Sequence, residues 1–229
     1  MTLKIVYLFR LDANERAQNI LALAVSHAQN LGINRNTTLE KMPHFQDEMF
    51  RRIWWCIYVL DRRLCLETGR PFLIIDINID ASIASNLSDA WLSAHQFTKE
   101  TTLELGAAIA EDSRNGGFSS YSFLKVMIEY SRISAKVWEA VHAANVAKQP
   151  LSNLLREYIE VSLSHWLEKL PKSLVYDKSF RPDSQDSEIT QTVIQQRFLL
   201  FVVCEDGVAL EFQADNHDAE ISLYAADDP

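Results

Sequence analysis

The chain has 229 residues, 48% of them hydrophobic and 23% charged, with six Gly, six Pro and a formal net charge of −9. This length and balance fit a globular body able to bury its own core, and so few turn-formers argue against an all-β fold. The acidic balance argues against a nucleic-acid interface, and no apolar run approaches the roughly 20 residues that a membrane-spanning helix needs.

The start, "MTLKIVYLFRLD", has a short apolar patch broken by Arg10 and lacks the long apolar core and small-residue cleavage site of a signal peptide, so an intracellular compartment is expected. The first strong helical pattern lies in "LDANERAQNILALAVSHAQNLG". Asp12 is placed to cap it, with Glu15 at the capping-box spacing. Ala17, Ile20, Leu21, Ala24, Ala28 and Leu31 form its apolar face, and Gly32 is the expected stop.

A second helix is predicted to open at Pro43, run to Thr68 and end at Gly69. Its centre, "IWWCIYVL", is short enough to be a strand, but charged helix formers continue on both sides without Gly or Pro. Asp47 with Arg51 and Glu48 with Arg52 make i,i+4 pairs in the favourable orientation. Wound as a helix, Phe50, Trp54, Ile57, Asp61 and Leu64 fall on one line, and Met49, Ile53, Cys56, Leu60 and Leu64 on a second. Trp55, Tyr58, Val59 and Leu66 cover much of the rest. A helix apolar nearly all round belongs in the middle of a bundle, with its charged ends reaching solvent. Asp61 is the exception on an apolar line, and a buried carboxylate needs a partner. Arg62, Arg63 and Arg70 are the nearest candidates by sequence, and Arg70 is the expected one, folding back after the reversal at Gly69.

"GRPFLIIDINIDASIASNLSD" reads as an irregular connection. Asp76, Asn78 and Asp80 imitate the first ligands of an EF-hand loop, but Ala81 and Leu87 stand where the loop needs Gly and Glu. An extended stretch with locally paired carboxylates is expected instead, with Ile77 and Ile79 buried. Helices are predicted over 90–111, 120–147, 151–170 and 189–204. The second of these has the stripe Leu124, Met127, Ile128, Ser131, Ala135, Trp138 and Val141. The stripe over 151–170 is Leu154, Leu155, Tyr158, Val161, Ser162, His165, Trp166 and Leu170. Residues 205–229 hold eight Asp or Glu and no Lys or Arg, a charge of −8 that leaves −1 for the rest. They read as an acidic, disordered tail behind one domain over 1–204.

Catalytic patterns are missing. The six His form no metal pair on one helix face, and no Gly-rich phosphate loop or nucleophile elbow is present. Cys56, Cys65 and Cys204 have neither disulfide nor zinc spacing. Catalytic, cofactor and metal residues are therefore expected to be none. The fold expected is an all-α, irregular multi-helix bundle around one central, nearly all-round apolar helix.

At the second helix the sequence resembles the fungal-specific transcription factor domain, the all-helical middle homology region of fungal zinc-cluster regulators. The resemblance rests on Arg51-Arg52, Ile53-Trp54-Trp55, Tyr58, Leu60-Asp61-Arg62, Gly69-Arg70-Pro71, Asp76 and Asp80. "ALAVSHAQNLGINRN" upstream and "HWLEKLPKSL" downstream extend it to residues 12–204. It implies a nuclear regulator of transcription whose domain restrains or modulates activity through protein partners or a small effector, with dimerisation open. An effector pocket among Trp54, Trp55 and the Gly-Arg-Pro turn is one form this could take. In the family, DNA contacts and zinc belong to a six-cysteine module. Three Cys cannot build one, so neither function is carried onto any residue here, and the chain is expected to be a truncated form. Alternatives are a competitor for a regulator's partner surface without DNA binding, and a helical small-molecule carrier or enzyme.

Overall fold

Helices begin almost at once. The computed structural model describes residues 1–85, 87–94, 121–142, 153–171, 174–175 and 196, and among these it has seven α-helices and no strand. They are α1 (Thr2–Arg10), α2 (Asn14–Asn30), α3 (Asn36–Leu39), α4 (His44–Thr68), α5 (Asp89–Ala94), α6 (Tyr121–His142) and α7 (Asn153–Glu168). The expected helix over 189–204 and the tail 205–229 lie outside the described residues, Gln196 apart. The chain divides into two compact units, residues 1–128 and 129–229.

The first unit is built on α4. Pro43 stands at its N-cap, and Gly69 ends it in the left-handed conformation at φ 65°, both as the sequence predicts. Trp54, Trp55, Ile57, Tyr58 and Leu64 are buried with Leu21, Ala24, Val25 and Ala28 of α2, Ile5 of α1, Leu39 of α3, and Ile33, Ile74 and Ile128. Small residues dominate the inner face of α2, at Ala17, Ala24 and Ala28, and large aromatics that of α4. Helices can pack closely where bulk on one side meets little on the other.

Several expectations are corrected. Residues 2–10 form a helix: Ile5, Leu8 and Phe9 share one face at i,i+3,i+4 spacing, and that face packs on the core. Asp12 is not the cap of α2. Ala13 is, while Asp12 sits at φ 55° in the turn and accepts a hydrogen bond from Asn14 Nδ2. Gly32 does end α2, at φ 71°, with its own N–H donating to Gln29 and the Ile33 N–H to Ala28. The α4 helix is not buried all round, because Met49 and Ile53 are exposed. Its charged N-terminal end is not in water either: Glu48 and Arg51 are buried.

In the second unit, Tyr130, Val137 and Trp138 of α6 are buried, as are Ile159, Leu163 and Trp166 of α7. The Tyr130 and Trp166 rings meet at 5.2 Å between centroids. Of the stripe expected on α7, Trp166 is buried and Leu155, Ser162 and Leu170 are half-buried, but Ile159 and Leu163 lie outside it. Leu154, Tyr158 and Val161 face outward. Among the described residues, no helix is long and apolar enough to cross a membrane.

Candidate functional site

The segment after α4 doubles back as a strap, residues 70–85 and 87–88, whose one regular element among the described residues is a 3-10 turn over Asp76–Asn78. An irregular segment leaves its backbone N–H and C=O groups without a ladder, and where they are buried something else must satisfy them. Three arginines, a tryptophan and two carboxylates of α4 do so.

Near the C-terminal part of α4, Asp61 is fully buried. It accepts from Arg62 Nη1 at 2.6 Å and from the backbone N–H groups of Leu73 and Ile74, each at 3.1 Å. Arg62 is buried too. Its Nη2 donates to the Ile74 carbonyl at 3.0 Å and to Asp76, and its guanidinium lies between the Tyr58 and Phe72 rings, 4.4 and 4.1 Å from their centroids. Tyr58 Oη donates to Asp76 at 3.3 Å. The Cys65 thiol donates to the Pro71 carbonyl at 3.3 Å. Burial pushes the Asp61 carboxyl above the ordinary carboxylate range, against the pull of Arg62 and the two strap N–H groups. For Arg62, burial favours the neutral form, but Tyr58, Asp76 and Asp61 outweigh it and raise its pKa, keeping it charged.

Near the N-terminal part, Arg51 is the hub. Its Nε donates to Asp47 at 2.6 Å, and its Nη1 to Asn36 Oδ1 at 2.7 Å and to Ser82 Oγ at 2.5 Å. Asn36 also receives the Ser82 N–H and, through its Nδ2 and backbone N–H, donates to Asp80. Asn34 holds the strap beside it: Nδ2 donates to the Asn78 carbonyl, and its own carbonyl accepts the Asp80 and Ala81 N–H groups. Trp55 Nε1 donates to the Ser82 carbonyl at 3.1 Å. Arg52 pairs with Glu48 at 3.1 Å and donates to the Leu87 carbonyl at 2.9 Å, while Glu48 accepts the Ser85 N–H at 3.0 Å. The Tyr121 ring lies under its guanidinium at 5.0 Å.

Most of the expected site residues are therefore brought together: Arg51, Arg52, Trp55, Asp61, Arg62, Asp76 and Asp80 all tie strap to helix or strap to the α2–α3 turn. Pro71 supplies the carbonyl that the Cys65 thiol meets, and three others behave differently. Trp54 is wholly buried in the core. Gly69 supplies the reversal. Arg70 does not meet Asp61; it is exposed and donates to Gln18 Oε1 at 2.5 Å. Asp61 is met by its neighbour Arg62 instead. About 21 Å of helix, at about 1.5 Å per residue, separate Trp55 from Gly69. Ile77 is 88% exposed rather than buried. Asp76 and Asp80 turn to different partners, Arg62 and Asn36, so they do not converge on a cation.

Asn34, Asn36 and Ser82 carry much of the network but were not singled out from the sequence. The one signal for the two Asn is the polar run "INRN" directly behind the Gly32 stop. The arrangement does mechanical work, fixing an irregular segment with charge-assisted bonds.

The model of the fungal specific transcription factor domain matches residues 2–194. An ABC-transporter-regulating transcription factor of Aspergillus fumigatus is 21% identical over 168 residues, covering 72% of this chain and 16% of its own length. The aurofusarin cluster transcription factor aurR2 of Gibberella zeae is 24% identical over 61% of this chain and 23% of its own. The pyrimidine pathway regulatory protein 1 of Saccharomyces cerevisiae reaches 34% over 64 residues, 28% of this chain and 7% of its own. The chain thus spans about a sixth of the length of the first of these relatives. No solved structure matches.

Proposed function

The chain belongs to the fungal-specific transcription factor domain family, and on that premise we propose that it is the regulatory, non-catalytic helical module of a nuclear transcription regulator. One observation carries the reading. Most of the family-signature residues are spent on internal bonds that lock the strap to α4 or to the α2–α3 turn, which makes them a scaffold. Arg51 and Arg62, the strongest candidates for phosphate contacts in that segment, are buried and paired. With a net charge of −9, this chain by itself makes no direct contact with nucleic acid. Its output passes through protein partners or a small effector.

The test joins the full chain to a heterologous DNA-binding domain and reads a reporter in yeast. A several-fold change of either sign relative to the DNA-binding domain alone is expected. Asp61→Ala should abolish that change. An unchanged reporter, with the fusion present in the nucleus at measured abundance, overturns the reading. So does tight promoter binding by the isolated chain at physiological salt.

A further inference from the structure

The α1 helix is apolar on two faces, and only one of them is used. Ile5 is buried, and Leu8 and Phe9 pack against the core. On the other side Leu3 is 85% exposed, Tyr7 63% and Leu11, just past the helix end, 59%. These three recur at i, i+4 and i+8, with Val6 beside them, and so make one continuous seam. A helix that is apolar nearly all round is normally covered nearly all round.

Charge decides what can cover this seam. The α1 sequence TLKIVYLFR contains Lys4 and Arg10 and no carboxylate, in a chain whose net charge is −9. Neither cation forms an ion pair among the described residues. The first carboxylates, Asp12 and Glu15, lie beyond Leu11 in the turn and in α2. A second copy is a poor occupant. Antiparallel packing centred on Tyr7 pairs Leu3 with Leu11 of the other copy, but it also sets Lys4 against Arg10 twice. Like charges at such spacing are destabilising. A helix with apolar residues at the same spacing and Asp or Glu at its margins meets both requirements.

We infer that the outer face of α1 (Leu3, Val6, Tyr7 and Leu11, with Lys4 and Arg10) is a docking surface for an acidic amphipathic helix of a partner protein. This goes beyond the regulatory reading above and does not depend on it. The apolar seam supplies affinity, and the two cations select the partner's sign and register.

The full chain is titrated by fluorescence anisotropy with two labelled 18-residue amphipathic peptides. Both carry Leu at i, i+3, i+4 and i+7 spacing, one flanked by Glu and the other by Lys. The Glu peptide should bind and the Lys peptide should not. Tyr7→Ser should weaken binding about tenfold or more, a loss of about 1.4 kcal/mol. Lys4→Glu with Arg10→Glu should invert the preference. These side chains are exposed, so the variants should keep the wild-type melting curve, and that curve is recorded for each. Equal binding of both peptides, binding of neither, or binding unmoved by the α1 changes overturns the inference. So does a stable dimer in sedimentation that Tyr7→Ser dissociates, or binding to phosphatidylserine vesicles without binding to the Glu peptide.

Discussion

Replacing Asp61 by Asn isolates the part of the network that packing does not explain. The side chains have nearly the same shape, so no cavity opens. One acceptor oxygen remains where two strap N–H groups and Arg62 now bond, at 3.1, 3.1 and 2.6 Å. The new amide N–H₂ turns a donor toward a donor, and an orphaned buried N–H costs about 1–3 kcal/mol. Arg62 also loses a counter-charge while buried, and removing one partner of a buried ion pair costs about 3–5 kcal/mol. These costs overlap, so about 3–5 kcal/mol in total is expected. At roughly 2–4 °C per kcal/mol for a chain of this size, Asp61→Asn should lower the melting temperature by about 6–20 °C. Asp76→Asn is the control. It also removes a partner of Arg62, but its side chain is 43% exposed, so solvent screens it and about 1 kcal/mol or less is expected. Thermal and urea melts of the full chain, followed by circular dichroism, measure both. An Asp61→Asn protein melting within about 2 °C of wild type, or an Asp76→Asn protein as damaged as Asp61→Asn, refutes the reasoning.

Two further outcomes follow from the same structure. Gly69→Ala at φ 65° meets nothing within 4 Å and should cost only the left-handed backbone penalty, about 1–2 kcal/mol, whereas Gly32→Ala at φ 71° also drives its Cβ to 2.7 Å from Thr38 Oγ1 and should cost visibly more in the same melts. Equal costs would contradict this. Burial pushes the Cys56 thiol up to about 11 and the Cys65 thiol up to about 12, and it raises Tyr121 as well. Each group is thus held protonated by folding. The stability this gives is fully present below the ordinary thiol value of 9.0 and is lost as pH rises through 11 and 12. Urea midpoints should therefore fall between about pH 8 and about pH 10.5, and a flat or rising profile would be the contrary result.

How far the sequence could be read differs from element to element. The α4 helix was legible because Pro43 and Gly69 punctuate it and helix-forming charges flank its apolar run, so both ends and the i,i+4 pairs to Arg51 and Arg52 are where the spacing puts them. The partner of Asp61 was not legible. Adjacent side chains on a helix diverge, which argues for Arg70 over Arg62. The strap supplies what sequence spacing lacks: Asp76, the Ile74 carbonyl and two aromatic rings draw the Arg62 guanidinium back beside Asp61. The stripe of α7 failed for another reason. Leu154, Tyr158 and Val161 keep helical spacing toward Trp166 as well as Ile159 and Leu163 do, and periodicity cannot choose between two apolar stripes. Alternation misled at Ile77, because the 3-10 turn over Asp76–Asn78 breaks the period of two and turns that side chain to solvent. The roles of Asn34 and Asn36 depend on contacts across 44 residues of chain, which no local pattern encodes.

The central claim is that the signature residues of α4 hold an irregular strap by its backbone. Amide hydrogen exchange at Leu73 and Ile74, whose N–H groups point at Asp61, tests it most directly. Both amides should exchange as slowly as those in the middle of α4 in the wild-type chain, and much faster in Asp61→Asn. Exchange at the rate of an unstructured peptide in the wild-type protein would contradict the account.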